Sequence, residues 1–291
     1  MADLKTLKVR IGSIKKTQKI TKAMKMVAAS KLRRAREAAE NSRLYSDTLD
    51  HIVAAQACSS MSQSRSIVFG APEPKTILII VNTSDRGLCG GLNTNVVKAV
   101  VAHKNNYEAK GLNVKIWAIG KKGHDQFKHL CPENIILNEV GFSSRDITYK
   151  ESAEIAEKIV ELFNKEEIDI CKIVYPYFNS AISQEAKQLA LIPAELPESE
   201  DNSDKEVLEY EYEPEREALL NEIVPKNIAI QLYHAFLETF ASEQGARMTA
   251  MDNAVNNCTD LVKRLNLEYN RTRQAKITTE LVEIISAAES I

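Results

Sequence analysis

A chain of 291 residues, with 44% hydrophobic and 27% charged side chains, is long enough for one or two domains with a real core. No stretch approaches the roughly 20 consecutive apolar residues of a membrane-spanning helix, which argues against a direct transmembrane segment. The formal net charge of −2 conceals an uneven distribution. Thirteen basic residues lie between Lys5 and Arg43, whereas the acids up to that point are Asp3, Glu37 and Glu40. From Glu195 to Glu217 the balance inverts, with eleven acids against Lys205 and Arg216. Such asymmetry points to charged partners at particular places rather than to a uniformly adhesive surface. The five cysteines (Cys58, Cys89, Cys131, Cys171, Cys258) form no CxxC pair, and an odd count without a secretory signal reads as reduced thiols.

Two long helical patterns, at about residues 3–59 and 226–290, flank a different middle. The first opens with Leu4, Leu7, Ile11 and Ile14, spaced three, four, three. The seam is then expected to change phase to Ile20, Met24 and Val27, and again to Tyr45, Leu49 and Ile52, a stutter in a coiled-coil pattern. No proline occurs before Pro72, so one helix of over fifty residues, roughly 80 Å long, is allowed. Residues 59–74, rich in serine and ending in Pro72 and Pro74, read as a linker. The basic N-terminal stretch is not read as a transit peptide, because its helical pattern continues past residue 30.

The middle alternates strand and helix signals. Strands are predicted at Thr76–Asn82, Val114–Ile119, Ile135–Val140 and Ile168–Tyr175, and helices at Asn93–Asn105, Gly123–Leu130 and Tyr149–Asn164. That alternation implies a mostly parallel sheet with helices on its faces. The acidic stretch with Leu208, Tyr210 and Tyr212 reads as an edge strand or an exposed loop. Pro214 suits a helix start, and Pro225 is expected to kink or restart that helix. Beyond it, Met248, Met251, Val255, Cys258, Val262, Leu265 and Tyr269 form an unbroken heptad seam, the mark of a helix lying along another helix. The resulting division is a coiled-coil helix at 1–59, an α/β domain at 75–195, an acidic connection at 196–213 and a coiled-coil helix at 214–291. The expected fold is therefore α/β plus a long coiled coil, with a Rossmann-like centre.

Signals of catalysis are weak. Ser84-Asp85-Arg86-Gly87-Leu88-Cys89-Gly90-Gly91 follows a strand and precedes a helix, where glycine-rich loops cradle phosphate. It matches neither GxxxxGK nor GxGxxG, and a structural turn is the favoured reading. Cys89 has no nearby histidine in sequence to act as a base. His51, His103, His124, His129 and His234 lack metal-ligand spacing. No catalytic, cofactor-binding or metal residue is assigned. The basic first helix could bind nucleic acid, but no recognised motif accompanies it and no aromatic residue precedes Tyr45. A solvated coiled-coil face, or one that meets acidic protein loops, is the preferred reading, and the alternatives for the chain as a whole are a coiled-coil scaffold or a nucleic-acid-binding protein with an α/β domain. The last turns carry an apolar line (Ile277, Leu281, Ile284, Ala288) among polar residues and end in small ones, a helix suited to a narrow sleeve.

Three sets of residues resemble one known family. Lys19-Ile20-Thr21-Lys22-Ala23-Met24-Lys25-Met26-Val27-Ala28-Ala29-Ser30-Lys31 resembles the N-terminal helix of the gamma subunit of F-type ATP synthase. Ser84 to Asn93 resembles its central loop. Ser242-Glu243-Gln244, Ala246-Arg247-Met248, Ala250-Met251, Tyr269-Asn270, Arg273-Gln274-Ala275 and Ile277-Thr278-Thr279-Glu280 resemble its C-terminal helix. The resemblance implies that the terminal helices pair antiparallel and pass through a hexamer of alpha and beta subunits. The α/β domain would meet the epsilon subunit and the membrane c-ring, with one copy per complex. Proton flow would turn this rotor shaft and drive ATP synthesis at the beta subunits. The chain itself would be non-catalytic and hold no cofactor. Hexamer-contact roles carry over to Met24, Arg247, Arg273, Gln274, Thr278 and Glu280. Contacts with the foot and rotor ring carry over to Lys31, Arg33, Arg34 and Tyr210. The family's Gly-Ala near the end is replaced by Ala287-Ala288, and since alanine favours helix over glycine by roughly 0.5–1 kcal/mol, the tip is expected to stay helical. The chloroplast form's cysteine-bearing insert has no counterpart, so no thiol switch is expected. The expected location is peripheral, on the cytoplasmic side of a bacterial inner membrane, favoured by the lack of a presequence, with the matrix side of the mitochondrial inner membrane as the alternative.

Overall fold

The computed structural model describes residues 3–57, 66–139, 148–194 and 216–289. The chain divides into two compact units, Met1–Ala29 with Arg247–Ile291, and Ser30–Ala246. The division falls within two long helices, α1 (Leu4–Ala57) and α5 (Arg216–Glu289).

The larger unit is built on five strands: β1 (Thr76–Asn82), β2 (Asn113–Ile119), β3 (Ile135–Glu139), β4 (Ile170–Phe178) and β5 (Gln184–Ile192). Their order is β3-β2-β1-β4-β5. The first four are parallel and β5 returns antiparallel to β4. The connecting helices are α2 (Leu92–Ala109), α3 (Lys121–Leu130) and α4 (Tyr149–Asn164). The central strands are apolar on both faces because both are covered, as parallel sheets require. Ile77, Ile79 and Val81 pack with Val96, Val97 and Val100 of α2 and Phe127 of α3. Leu78 and Ile80 pack on the other side with Ile155, Ile159 and Phe163 of α4 and Leu232 and Phe236 of α5. Helix α4 begins with a capping box between Thr148 and Glu151. That device satisfies two of the amides a helix start leaves open.

Strand β5 is absent from the sequence expectation. Its residues, Gln-Glu-Ala-Lys-Gln-Leu-Ala-Leu-Ile, include several good helix formers, and their strand state is imposed by the pairing with β4. The expected linker also needs correction in part. Val68 is buried in the main core, and its carbonyl accepts the Ala194 amide at 3.2 Å. Residues 58–65 lie outside the described residues, as do the acidic segment at 195–215 with Tyr210 and the end of the expected third strand at Val140. Of the kink or restart expected at Pro225, the restart is not found, since α5 runs on through it.

The smaller unit is a pair of helical segments. The seam face of α1 here follows Leu4, Leu7, Ile11, Ile14, Gln18, Thr21, Lys25 and Ala28, with no change in the three-four spacing, and Gly12 and Met24 lie half-buried beside it. The expected shift onto Ile20 and Val27 is therefore wrong, although Met24 is half-buried, and the second expected shift, to Tyr45, Leu49 and Ile52, falls on side chains outside the described ones. Ile20 and Val27 are 60% and 57% exposed. The seam continues through polar side chains instead of stepping aside to follow the apolar ones. On α5 the complementary face is the expected one, with Met251 and Leu265 buried and Met248, Val255, Cys258, Val262 and Tyr269 half-buried. Leu7, Ile11 and Leu265 form a small core, with Ile14 and Tyr269 against it. Burying such side chains contributes about 1.5–3 kcal/mol each.

Candidate functional site

In an open α/β sheet, ligands bind beyond the carboxyl ends of the strands, where the chain order reverses. Here that place lies between β1 and β4, and the loop after β1 is the glycine-rich Ser84–Gly91. The loop is tied to itself. Ser84 Oγ donates to the Arg86 carbonyl at 2.7 Å, and the Ser84 amide donates to Asn93 Oδ1 at 3.0 Å. Asn93 Nδ2 donates to Ser84 Oγ at 2.7 Å. Leu88 and Gly90 have φ of 66° and 60°, so the chain doubles back tightly. Cys89 turns inward and packs with Leu92 and Ala246. Asp85 Oδ1 accepts the Lys121 amide at 2.9 Å, so these polar side chains are engaged in holding the loop's own shape.

The space beyond β1 and β4 is taken by α5. Asn82, the last residue of β1, donates from Nδ2 to Thr239 Oγ1 at 2.8 Å. Ser242 Oγ donates to the Pro176 carbonyl at 2.9 Å, just past Val174, where β4 stops pairing with β1. The Phe178 amide donates to Glu238 Oε2 at 3.1 Å. Gly245 completes the fit, because a Cβ there would come within 2.9 Å of the Phe178 ring. Glu238, Thr239 and Ser242 are all buried. These three polar contacts fix the rotation of α5 about its own axis as well as its distance from the sheet. They occupy the crevice where a nucleotide would sit in a fold of this class. Sequence reading missed them, although Ser, Thr and Glu on an otherwise apolar helix face were the available signal.

Two of the described thiols are poorly placed for chemistry. Cys171 is fully buried, and burial pushes its thiol well above the usual range. Burial also raises Cys131. Among the described residues, no cluster of His, Cys, Asp or Glu is placed to hold a metal ion.

The second feature is the helix pair. Gln18 Nε2 donates to Thr259 Oγ1 at 2.7 Å, and Lys25 Nζ lies 2.6 Å from Asp252 Oδ1. Residue number rises along α1 as it falls along α5, so the segments run antiparallel. Extending that pairing puts the start of α1 near Arg273. The rest of α5, from Lys276 to Ala288, is exposed throughout. Ile277, Leu281, Val282, Ile284 and Ile285 are about half to two-thirds exposed there, on the part of α5 past its pairing with the described residues of α1.

The candidate site residues fall in three places. Met24 and Arg247 are half-buried on the paired segments, while Arg273, Gln274, Thr278 and Glu280 are exposed at or beyond the end of the pair. Lys31, Arg33 and Arg34 are exposed on α1 in the larger unit, and Arg33 pairs with Glu37 at 3.0 Å. Tyr210 lies outside the described residues. The structure thus gathers no single pocket from them. Those that are described lie along two helices.

Comparison with known proteins follows the same lines. A profile of the family described as ATP synthase matches residues 3–291. The ATP synthase gamma chain of Pelagibacter ubique is 45% identical, with all of both chains covered. That of Rhodospirillum rubrum is 44% identical over the whole of each chain. Among solved structures, a chain from the Euglena gracilis mitochondrial ATP synthase rotor aligns with TM-score 0.68 at 21% identity, covering 94% of this chain and 98% of that one. A chain from the central stalk and c-ring of the Tetrahymena thermophila mitochondrial ATP synthase aligns with TM-score 0.62 at 26% identity, covering 81% and 99%.

Proposed function

The chain belongs to the ATP synthase gamma-chain family, and we propose that it works as the rotor shaft of an F-type complex without itself making or breaking bonds. The observation that carries this reading is the antiparallel helix pair with its exposed, apolar, single-helix end. A large apolar stripe left in water on a monomer marks a surface that another protein covers. A hexamer of alpha and beta subunits is the partner that fits a long, narrow, uncovered helix end. The α/β unit is the part we assign to the epsilon subunit and the membrane c-ring. We keep the division of labour by segment: 1–59 and 214–291 as shaft, 75–195 as foot, and 196–213 as a connection within the foot.

Catalysis by this chain is disfavoured by the filling of the sheet's ligand crevice by Thr239, Ser242 and Glu238. The shaft acts instead by linkage. If one angle of an asymmetric helix pair favours one conformation of a neighbouring catalytic subunit over another, turning the pair shifts that equilibrium by the difference in contact free energy. Met24, Arg247, Arg273, Gln274, Thr278 and Glu280 are the residues we assign to those contacts. Lys31, Arg33 and Arg34, with Tyr210, are assigned to the foot.

Among the described residues no helix is long and apolar enough to cross a membrane. Membrane association therefore runs through the complex, and the bacterial relatives favour the cytoplasmic face of an inner membrane. The test is co-purification of the tagged full chain from cells expressing its neighbouring subunits. One copy per three pairs of nucleotide-binding subunits is expected. Isolation of the chain alone, or with an unrelated partner, would overturn the reading.

A further inference from the structure

Three of the eight seam positions of α1 in the smaller unit are polar: Gln18, Thr21 and Lys25. Two of them meet polar partners on α5 exactly one heptad apart on both helices, Gln18 with Thr259 and Lys25 with Asp252. The apolar part of the seam does not by itself dictate alignment. A slide of one heptad would set Leu7 against Val262, Ile11 against Cys258 and Ile14 against Val255. Every one of those contacts is still apolar. The polar positions are not indifferent to the same slide. It would bring Asp252 to Gln18, take Lys25 away from its carboxylate, and place the Thr259 hydroxyl against Ile11.

We propose that the Lys25–Asp252 ion pair and the Gln18–Thr259 hydrogen bond are the register-setting contacts of the helix pair. Polar residues at seam positions commonly serve this purpose, specifying alignment rather than adding stability. The exposure of the two charged side chains, 40% and 46%, fits that role, since so open a pair adds little to stability. On the rotor-shaft reading, register has a mechanical consequence. It sets how far α5 projects beyond the start of α1. One heptad changes that projection by about 10 Å, and with it the depth to which the bare tip can reach into its sleeve.

The test uses the full chain with Cys258→Ala and one of two cysteine pairs. Ile14→Cys with Val262→Cys reports the observed register, and Ile14→Cys with Val255→Cys reports the slid one. Mild oxidation followed by peptide mass mapping gives the yield of each disulfide. The 14–262 bond is expected to dominate when Lys25 and Asp252 are intact. Lys25→Asp, which sets two carboxylates together, should raise the 14–255 yield relative to 14–262 by roughly threefold or more. Adding Asp252→Lys should reverse the change. Should Lys25→Asp fail to fold, the neutral pair Lys25→Ala with Asp252→Ala should shift the ratio in the same direction. An unchanged ratio in these variants, or a swapped pair that does not restore it, overturns the proposal. Because disulfide yield needs no ATP turnover, this outcome is separate from the success or failure of the rotor reading.

Discussion

Gly120 shows how much can hang on one side chain. It sits at the end of β2 with φ of 97°, and a Cβ there would collide with the Thr83 carbonyl oxygen. The Thr83 hydroxyl donates to the Ile119 carbonyl at 3.1 Å and accepts the Gly123 amide at 2.9 Å. Neither the backbone angle nor the close approach tolerates alanine. Gly120→Ala should cost about 2–3 kcal/mol, read as a lower urea midpoint with unchanged slope. His103 is a second single-residue case. Burial, and then the Lys172 ammonium, hold its pKa below the ordinary 6.5. The unfolded chain therefore takes up this proton before the folded one does. The stabilisation is complete above pH 6.5 and is lost as pH falls from there toward the lowered folded value. His103→Gln should flatten the stability-versus-pH curve in that window, measured by urea unfolding at a series of pH values. A slope equal to that of the unaltered chain would contradict the assignment.

At the level of elements, the sequence was most readable where a single force acts. Strand β1 and helix α4 have the bounds their apolar patterns predict, Thr76–Asn82 and Tyr149–Asn164, because both are buried by the same core. Readability failed where partners overrule local preference. Strand β5 is composed partly of helix formers, and only its neighbour β4 makes it a strand. At Gln18 the seam of α1 turns polar, so apolarity alone points to Ile20 and Val27, whereas the helix keeps its three-four spacing. Those two exposed residues then belong to an outer surface. The candidate contact residues were placed by resemblance, and no local pattern would have separated Arg273 from Arg271. Two outcomes follow for these helices. Met24→Lys places a charge on a half-buried position of the pair, and should lower protons pumped per ATP hydrolysed while leaving the complex assembled. Proton-pumping and ATPase assays on membrane vesicles would check this, and an unchanged ratio would count against a coupling role. Truncation after Ile284 removes, among the described residues, only exposed ones and should be mild. Truncation after Glu268 also removes Tyr269 from its cluster with Leu7, Ile11 and Leu265, and should weaken the helix pair itself. Thermal unfolding of the two shortened chains would separate these effects.

In the molecule as a whole, the two units owe their rigidity to different contacts. In one unit, α5 is pinned to a sheet by Asn82, Pro176 and Phe178. In the other, the same helix is paired with α1 through a seam held in place by polar contacts. A chain built this way is suited to carry torque, and its own α5 lies where a fold of this class ordinarily binds a ligand. The claim that matters most is that it turns. With the catalytic subunits of the assembled complex fixed to a surface and a bead attached through Lys110→Cys, an exposed site on the α/β unit, ATP should drive rotation in one direction with three-fold pauses. A complex that hydrolyses ATP at full rate while the bead only fluctuates about a fixed angle would contradict it.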